Sequence, residues 1–457
     1  MTIDAALTEL SSLIGNRLTR SKSDLDLHGR SESHFPPTPP DAVAYPESTA
    51  EVAGIVKTCA RHGCPVVPWG VGTSLEGAAL AFTGGVTVDF SRMHKVLAVN
   101  EADMDAVVQP GLTREALNTE LRATGLFFSV DPGANATLGG MAMTRASGTT
   151  AVRYGTMRDN VLGMEVVMAD GRVVRTGTRA RKSAAGYDLT GLMVGSEGTL
   201  GLVTELTLKL HGQPEAISAA VCAFEDFGAA VDAVTATIQM GIPMARIEFV
   251  DAATARAFNI YAGASLPEAP HLMVEFHGSP RAVEEDAERF REIAEEFGAT
   301  GFDWAVQPED RTALWTMRHN AAYACLSLRP GARQLVTDIC VPISKLAEAV
   351  EETRADIAAS TLQGPILGHV GDGNFHSILL IDPGDESERA EALRLSGRMV
   401  DRALRMGGTA TGEHGIGVGK LDYMAQEHGA GWDVMGQIKR ALDPQNILNP
   451  GKMVRAG

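Results

Sequence analysis

At 457 residues, 44% hydrophobic and 21% charged, the chain exceeds one ordinary core and is expected to form two or three domains of a soluble globular protein. A formal charge of −17 argues against a nucleic-acid partner and against docking on an anionic membrane surface. Five scattered cysteines (Cys59, Cys64, Cys222, Cys325, Cys340) suit a reducing compartment. No apolar run approaches the ~18 residues of a membrane span and no export signal opens the sequence, so a cytoplasmic location is expected.

In chain order, Ile3, Leu7, Leu10, Leu13 and Ile14 have helical spacing. Phe35-Pro-Pro-Thr-Pro-Pro40 must be extended. Ser48 with Glu51 predicts a capping box on a helix running to about Ala60. That helix and strands near Val66-Val67, Val86 to Asp89 and Ala106 to Gln109 suggest an α/β unit, followed by a helix over Glu115 to Arg122.

Three glycine-rich stretches fall within the first 201 residues. They are Pro68-Trp-Gly-Val-Gly-Thr-Ser-Leu-Glu-Gly77, the run from Asp131-Pro-Gly to Ser147-Gly148, and Gly195-Ser-Glu-Gly-Thr-Leu-Gly201. Such loops let backbone approach a flat or phosphorylated ligand, since no Cβ intervenes. A nicotinamide fingerprint is missing, because Gly70-x-Gly72 is followed by glycine only at 77. Asp170-Gly171 between two β-rich runs predicts a hairpin, and Leu200 to Leu210 a closing strand.

From about residue 215 strand candidates (Ala219 to Phe224, Arg246 to Val250, Leu272 to Phe276, Leu335 to Val341) alternate with helical stretches, clearest at Arg281 to Phe297 and Ala347 to Ser360. This texture predicts a second α+β domain. In Gly368-His-Val-Gly-Asp-Gly-Asn-Phe-His376, a two-residue turn at Asp372-Gly373 would place His369 directly opposite His376. Cross-strand Cβ atoms lie ~4.5–5.5 Å apart, close enough for two imidazoles to share a metal ion. In Gly407 to Gly417, Glu413 offers a third ligand and His414 a base facing substrate. Such a set suits Zn²⁺, Mn²⁺ or Fe²⁺ alike; a structural role for histidines in glycine-rich turns is the competing reading. Arg318, in Leu314-Trp-Thr-Met-Arg318-His-Asn, is a candidate clamp for a substrate carboxylate.

Pro132-Gly-Ala-Asn-Ala-Thr-Leu-Gly-Gly, Val194-Gly-Ser-Glu-Gly-Thr-Leu-Gly-Leu-Val-Thr, Gly368-His-Val-Gly-Asp-Gly-Asn-Phe-His, Gly412-Glu-His-Gly-Ile-Gly and Asn449-Pro-Gly-Lys, in that order, resemble the FAD-linked D-2-hydroxyacid dehydrogenases of the vanillyl-alcohol oxidase flavoprotein superfamily. The resemblance runs from about residue 40 to the C-terminus. Trp315-Thr-Met-Arg-His-Asn-Ala-Ala-Tyr with Thr337-Asp-Ile-Cys-Val-Pro is most similar to the cytochrome-linked D-lactate dehydrogenases.

The resemblance implies an α+β fold: a two-part FAD-binding domain over 1–214, an α+β substrate and metal domain with an antiparallel sheet over 215–410, and a segment 411–457 returning to the flavin. It implies FAD contacts at Val71, Gly72, Thr73, Ser74, Gly77, Pro132, Gly133, Thr137, Gly139, Gly140, Ser147, Gly148, Gly155, Glu197, Gly198, Gly201 and Val203, with Asn449 at the isoalloxazine. It puts a divalent metal (Zn, Mn or Fe) on His369, His376 and Glu413, the base on His414 and the clamp on Arg318. Thr73-Ser74 stand where relatives with covalent flavin carry a histidine, so FAD is expected to be non-covalent. Glutarate-type relatives place a lysine and an asparagine where this chain has Val336 and Ile378, which favours a small apolar D-2-hydroxy monocarboxylate such as D-lactate.

The expected chemistry is proton abstraction by His414 and hydride transfer to flavin, with electrons passed to an external acceptor: a cytochrome, a quinone or an electron-transfer protein. A glycolate-oxidase-type subunit and a D-2-hydroxyglutarate dehydrogenase are the enzyme alternatives. A flavin- or metal-binding module is the non-enzyme one. The oligomeric state is open, a homodimer being one candidate.

Overall fold

The computed structural model describes residues 3–455. Helix Ile3–Ile14 buries Ala6, Leu7, Leu10 and Ile14 in one core with helix Thr49–His62, while Leu13 of the predicted stripe is exposed. The predicted capping box on the second helix is half formed. Ser48 Oγ accepts the Glu51 N–H, whereas the Glu51 carboxylate accepts from the Arg17 guanidinium (2.6 Å) and the Glu47 N–H. A charge-assisted fork is the stronger partner for a carboxylate.

Strands β1 (Leu18–Thr19), β2 (Ala42–Ala44), β3 (Val66–Trp69) and β4 (Val86–Asp89) form a sheet of order β1-β2-β4-β3, parallel except for β1. They are followed by β5 (Val96–Asn100), β6 (Asp105–Val108), β7 (Leu126–Phe127), β8 (Val161–Val167), β9 (Val173–Arg175), β10 (Leu202–Lys209) and β11 (His211–Gly212). Five of these make an antiparallel sheet, β5-β6-β10-β8-β9, while β7 pairs with β11. The turn at Asp170-Gly171 joins β8 to β9 as predicted, with Val167 opposite Val173.

The chain then builds one antiparallel sheet from β12 (Ala216–Ala223), β13 (Met244–Val250), β14 (His271–Gly278), β15 (Thr300–Ala305), β16 (Arg333–Val336), β17 (Ile339–Cys340), β18 (Ile366–His369) and β19 (Asn374–Ile381). Its order is β15-β12-β14-β13-β18-β19-β16, with β17 also on β19. Period-two alternation divides β12 between two cores: Ala220 and Cys222 enter one, Ala219 and Val221 the other. Helices Phe227–Gln239, Pro280–Glu296, Leu346–Ala358 and Glu386–Arg405 cover the first face; Ala252–Ala262, Pro308–His319 and Ala321–Leu326 cover the second. The predicted strand Leu335 to Val341 is two strands, broken at Thr337-Asp338.

The C-terminal segment crosses back to the first sheet. Val66 N–H donates to Ile447 O and Asn449 N–H to Val66 O, both at 2.8 Å, which extends the open edge at β3. Buried Lys439 fastens the return by donating to Thr199 O, Leu448 O and the Asp443 carboxylate. No helix among the described residues is long and apolar enough to cross a membrane.

Candidate active site

The glycine loops of the first half and one face of the eight-stranded sheet enclose a cavity of about 320 Å³. Of the residues expected at FAD, Val71, Gly72, Thr73, Ser74, Pro132, Gly133, Thr137, Gly139, Gly140, Glu197, Gly198, Gly201 and Val203 line it. Arg318, His369, His376, Glu413 and His414 line the same cavity. Thr137 caps the helix Leu138–Thr144, its hydroxyl accepting the Gly140 N–H, so this helix begins at the cavity wall.

Five expected FAD residues lie elsewhere. Gly77 packs beside Val418 and Phe35, and the α-carbon of Gly148 lies so close to Asp131 that a Cβ there would sit 2.5 Å from its carbonyl oxygen. Gly155 ends the helix Ala151–Tyr154 against Asp159. Ser147 donates to Glu413 Oε2 at 2.7 Å, which orients a candidate metal ligand. Asn449 donates to Ala78 O and Glu197 O, so it ties two cavity-lining loops together from behind. Glu197 likewise turns its carboxylate away, onto the N–H groups of Ile416 and Gly417; burial raises its pKa to about 7.

The histidine hairpin has a register two residues away from the expected one. His369 pairs with Asn374 and Leu367 with His376, so the connection is the four-residue turn 370–373, not a two-residue turn at Asp372-Gly373. Gly373 takes φ +77° there with its α-carbon against Val341 O, which leaves no room for a side chain. A slip of two keeps the same face, so the imidazoles meet diagonally with ring centroids 5.6 Å apart.

Each imidazole is set by what its Nδ1 touches. His369 Nδ1 lies 2.8 Å from Glu248 Oε1 and His376 Nδ1 lies 3.0 Å from Thr337 O. A carboxylate and a carbonyl only accept, so both rings donate from Nδ1 and turn an Nε2 lone pair inward. Those lone pairs face Glu413 Oε1 at 3.2 and 3.4 Å. Three acceptors so close require a proton or a cation among them. Burial disfavours charge on His369, yet Glu248 and Glu413 outweigh it and raise its pKa well above 6.5. Ligand types, convergence and oriented tautomers therefore fit a divalent metal.

Asp338 holds the second half of this site. Its buried carboxylate accepts from the N–H groups of Glu413 and His414 (2.9 Å each), from Thr411 Oγ1 and from Asn374 Nδ2. Gly412 permits that approach, since a Cβ there would stand 2.1 Å from Asn374 Nδ2. His414 stacks on His376 (5.1 Å between centroids, 12° between planes) and its buried Nδ1 has no hydrogen-bond partner. Burial lowers its pKa, partly opposed by Asp338, which keeps the ring neutral and able to take a proton.

Arg318, the candidate carboxylate clamp, faces a carboxylate of the protein itself. It is 5% exposed and sits 2.5 Å from Glu248 Oε2, but the contact is not aligned as a hydrogen bond: Arg318 Nε and Nη2 remain buried and without acceptors. Charge compensated and donors unspent, it suits a carboxylate entering the cavity. Val336 and Ile378 face each other directly across β16 and β19 and make an apolar wall of the cavity.

Sequence reasoning missed Glu248, Asp338 and the role of Asp131. The Asp131 carboxylate accepts from Thr149 Oγ1, Thr150 N–H and Thr150 Oγ1, and pairs with Arg246 of β13 at 3.1 Å. Burial opposes its charge, but Arg246 and His319 outweigh it and hold the carboxyl well below the usual range. Asp131 and Asp338 stand in motif stretches and Glu248 does not, but no local pattern assigns any of them a role, because their partners are far away in sequence.

Residues 40–177 match the FAD binding domain family and 213–453 the C-terminal domain of FAD linked oxidases. The chain is 48% identical to a probable mitochondrial D-lactate dehydrogenase of Danio rerio, over 93% of this chain and 87% of that one. It is 44% identical to the mitochondrial D-lactate dehydrogenase [cytochrome] of Arabidopsis thaliana (98% and 80%), and 36% identical to glycolate oxidase subunit GlcD of Bacillus subtilis (91% and 89%). Among solved structures, p-cresol methylhydroxylase shares the fold at TM-score 0.81 and 17% identity, over 98% of this chain and 96% of that one. Alkyldihydroxyacetonephosphate synthase does so at TM-score 0.79 and 20% identity, over 99% and 88%.

Proposed function

The chain belongs to the FAD-linked oxidase family, and on that premise we propose that it oxidises D-lactate, or a D-2-hydroxy monocarboxylate of similar size, to the 2-keto acid. One observation carries the reading. His369, His376 and Glu413, whose ligand atoms converge, His414 with its unpartnered Nδ1 and Arg318 with its unspent donors all line the cavity that the glycine loops line. Each group matches one need of a 2-hydroxy acid: a cation for its hydroxyl, a base for the proton, a fork for the carboxylate.

When bound, FAD supplies a two-electron acceptor for the Cα hydrogen, and a divalent cation lowers the pKa of the substrate hydroxyl. The protein does the rest. His369, His376 and Glu413 would hold the cation, which is zinc, manganese or iron on these ligands. Neutral His414 receives the hydroxyl proton as the C–O bond becomes a carbonyl. Arg318 fixes the carboxylate, which fixes the Cα–H direction. Val336 and Ile378 offer nothing to pair a second carboxylate, and a desolvated unpaired one is costly, so small monocarboxylates are preferred over dicarboxylates. Electrons leave to an external acceptor of the cytochrome class, in line with the names of the relatives.

The direct test is anaerobic mixing of the purified FAD-loaded protein with D-lactate. Loss of the oxidised-flavin absorbance with D-lactate, and its persistence with L-lactate, is the expected result. A flavin that stays oxidised with every small D-2-hydroxy acid would make the chain a binding module.

A further inference from the structure

On β13, Arg246 and Glu248 stand two residues apart and therefore on one face, turned toward the cavity side of the sheet. Glu248 is 1% exposed and its two oxygens diverge. Oε1 meets His369 Nδ1 on β18 at 2.8 Å, and Oε2 lies 2.5 Å from Arg318 Nη2 on the helix Pro308–His319. One carboxylate thus touches both the imidazole of a metal ligand and the guanidinium facing the substrate carboxylate, through two different secondary-structure elements.

Building on the function proposed above, we propose that Glu248 is a positioning residue that locks the metal-ligating imidazole and the carboxylate clamp into a single unit. Two features separate this from simple neutralisation of a buried arginine. The contact to His369 is well formed and fixes which ring nitrogen carries the proton, so that Nε2 is left to bind the cation. The contact to Arg318 is close but misaligned, so Glu248 offsets the charge while leaving Nε and Nη2 free to donate to a ligand. A carboxylate that only neutralised Arg318 would consume those donors.

The roles imply coupling. A cation drawn onto His369 Nε2 strengthens the Nδ1–H donor and pulls Glu248 toward the ring, which loosens its hold on Arg318. A carboxylate taken up by Arg318 releases Glu248 toward His369 in the same sense. By linkage, metal and substrate anion should each tighten the other through this residue.

The test is Glu248→Gln, which keeps side-chain volume, in the FAD-loaded protein after chelator treatment. Titration calorimetry with Mn²⁺ should show roughly a 10- to 100-fold weaker Kd than the unmodified protein. KM for D-lactate should rise more than kcat falls, and added propionate, which carries the carboxylate but no hydroxyl, should no longer tighten Mn²⁺. If Glu248→Gln proves unstable, Arg318→Met is compared with Glu248→Gln/Arg318→Met, where no buried arginine is left unpaired. The double variant should then bind Mn²⁺ at least tenfold more weakly than Arg318→Met alone. Mn²⁺ affinity within twofold of the parent in each comparison overturns the proposal, whatever happens to thermal stability. Absence of both Mn²⁺ and Zn²⁺ binding by the unmodified protein would instead overturn the metal site of the function proposed above, so the two failures are distinct.

Discussion

The two ends of the cavity are built from opposite materials. The FAD end is mostly backbone: glycines, Pro132 and the cavity-facing start of the helix after Thr137. The hydroxy-acid end is side chain, with charged or ionisable groups buried or half-buried and each aimed by a partner: His369 by Glu248, His376 by Thr337, Glu413 by Ser147, and the Glu413-His414 backbone by Asp338. A backbone surface receives a large ligand by leaving volume out, so adding atoms should damage it. A side-chain constellation places charge, so removing atoms should damage it. Asp131 joins the two, since it holds the flavin-loop threonines on one side and Arg246 of the substrate sheet on the other.

The largest expected effect is at the side-chain end. His414→Ala should lower kcat by about 10²- to 10⁴-fold, the usual contribution of a general base. The protein should stay yellow, because the substitution leaves the cavity-lining glycine loops themselves unchanged; loss of bound flavin in this variant would break the contrast between the ends.

Next comes the joint. Asp131→Asn should cost about 3 kcal/mol at neutral pH, as expected for a buried pair that loses one partner. The carboxyl's folded pKa is depressed, so its stabilisation is complete above the unfolded value near 3.9 and fades as pH falls through that value and below. Urea unfolding of both proteins should therefore show a gap that narrows as pH falls below about 4. A gap independent of pH would mean that Asp131 acts by packing and not by charge.

The smallest effect tests the backbone end. A Cβ at Gly140 would meet only Thr137 Oγ1, at 3.0 Å, so Gly140→Val should add two methyls at the cavity wall once that hydroxyl gives way slightly. FAD affinity should fall about tenfold, or ~1.4 kcal/mol, with Mn²⁺ affinity unchanged. Equal loss of both would show that the ends are one cooperative site.

The same contrast explains what could be read from sequence. Adjacent ligands with glycine flanks, such as Glu413-His414 and the pair His369 and His376, announce themselves, and the hairpin misregister did no harm because a slip of two preserves the face. The glycine runs announce a cofactor surface but not which glycines form it: Gly72 and Gly140 line the cavity, while Gly148 only accommodates Asp131. The resemblance carries Ser147 to the flavin, and only the fold shows Glu413 beside it. Glu248, Asp131 and Asp338 were illegible for a different reason. An acidic residue in a strand or loop carries no periodic signature, and its meaning lies in partners such as Arg246, 115 positions from Asp131. The half-formed box at Ser48 and Glu51 failed likewise, through Arg17, 34 positions away.

The pairing of Ile447 and Asn449 with Val66 has a consequence for biosynthesis. A ribosome delivers Val66 long before it delivers the strand that completes the sheet, so the amino-terminal half cannot reach its final form while translation continues. Stable flavin loading should then follow delivery of residues 447–449, and a chain truncated before Ile447 should be colourless.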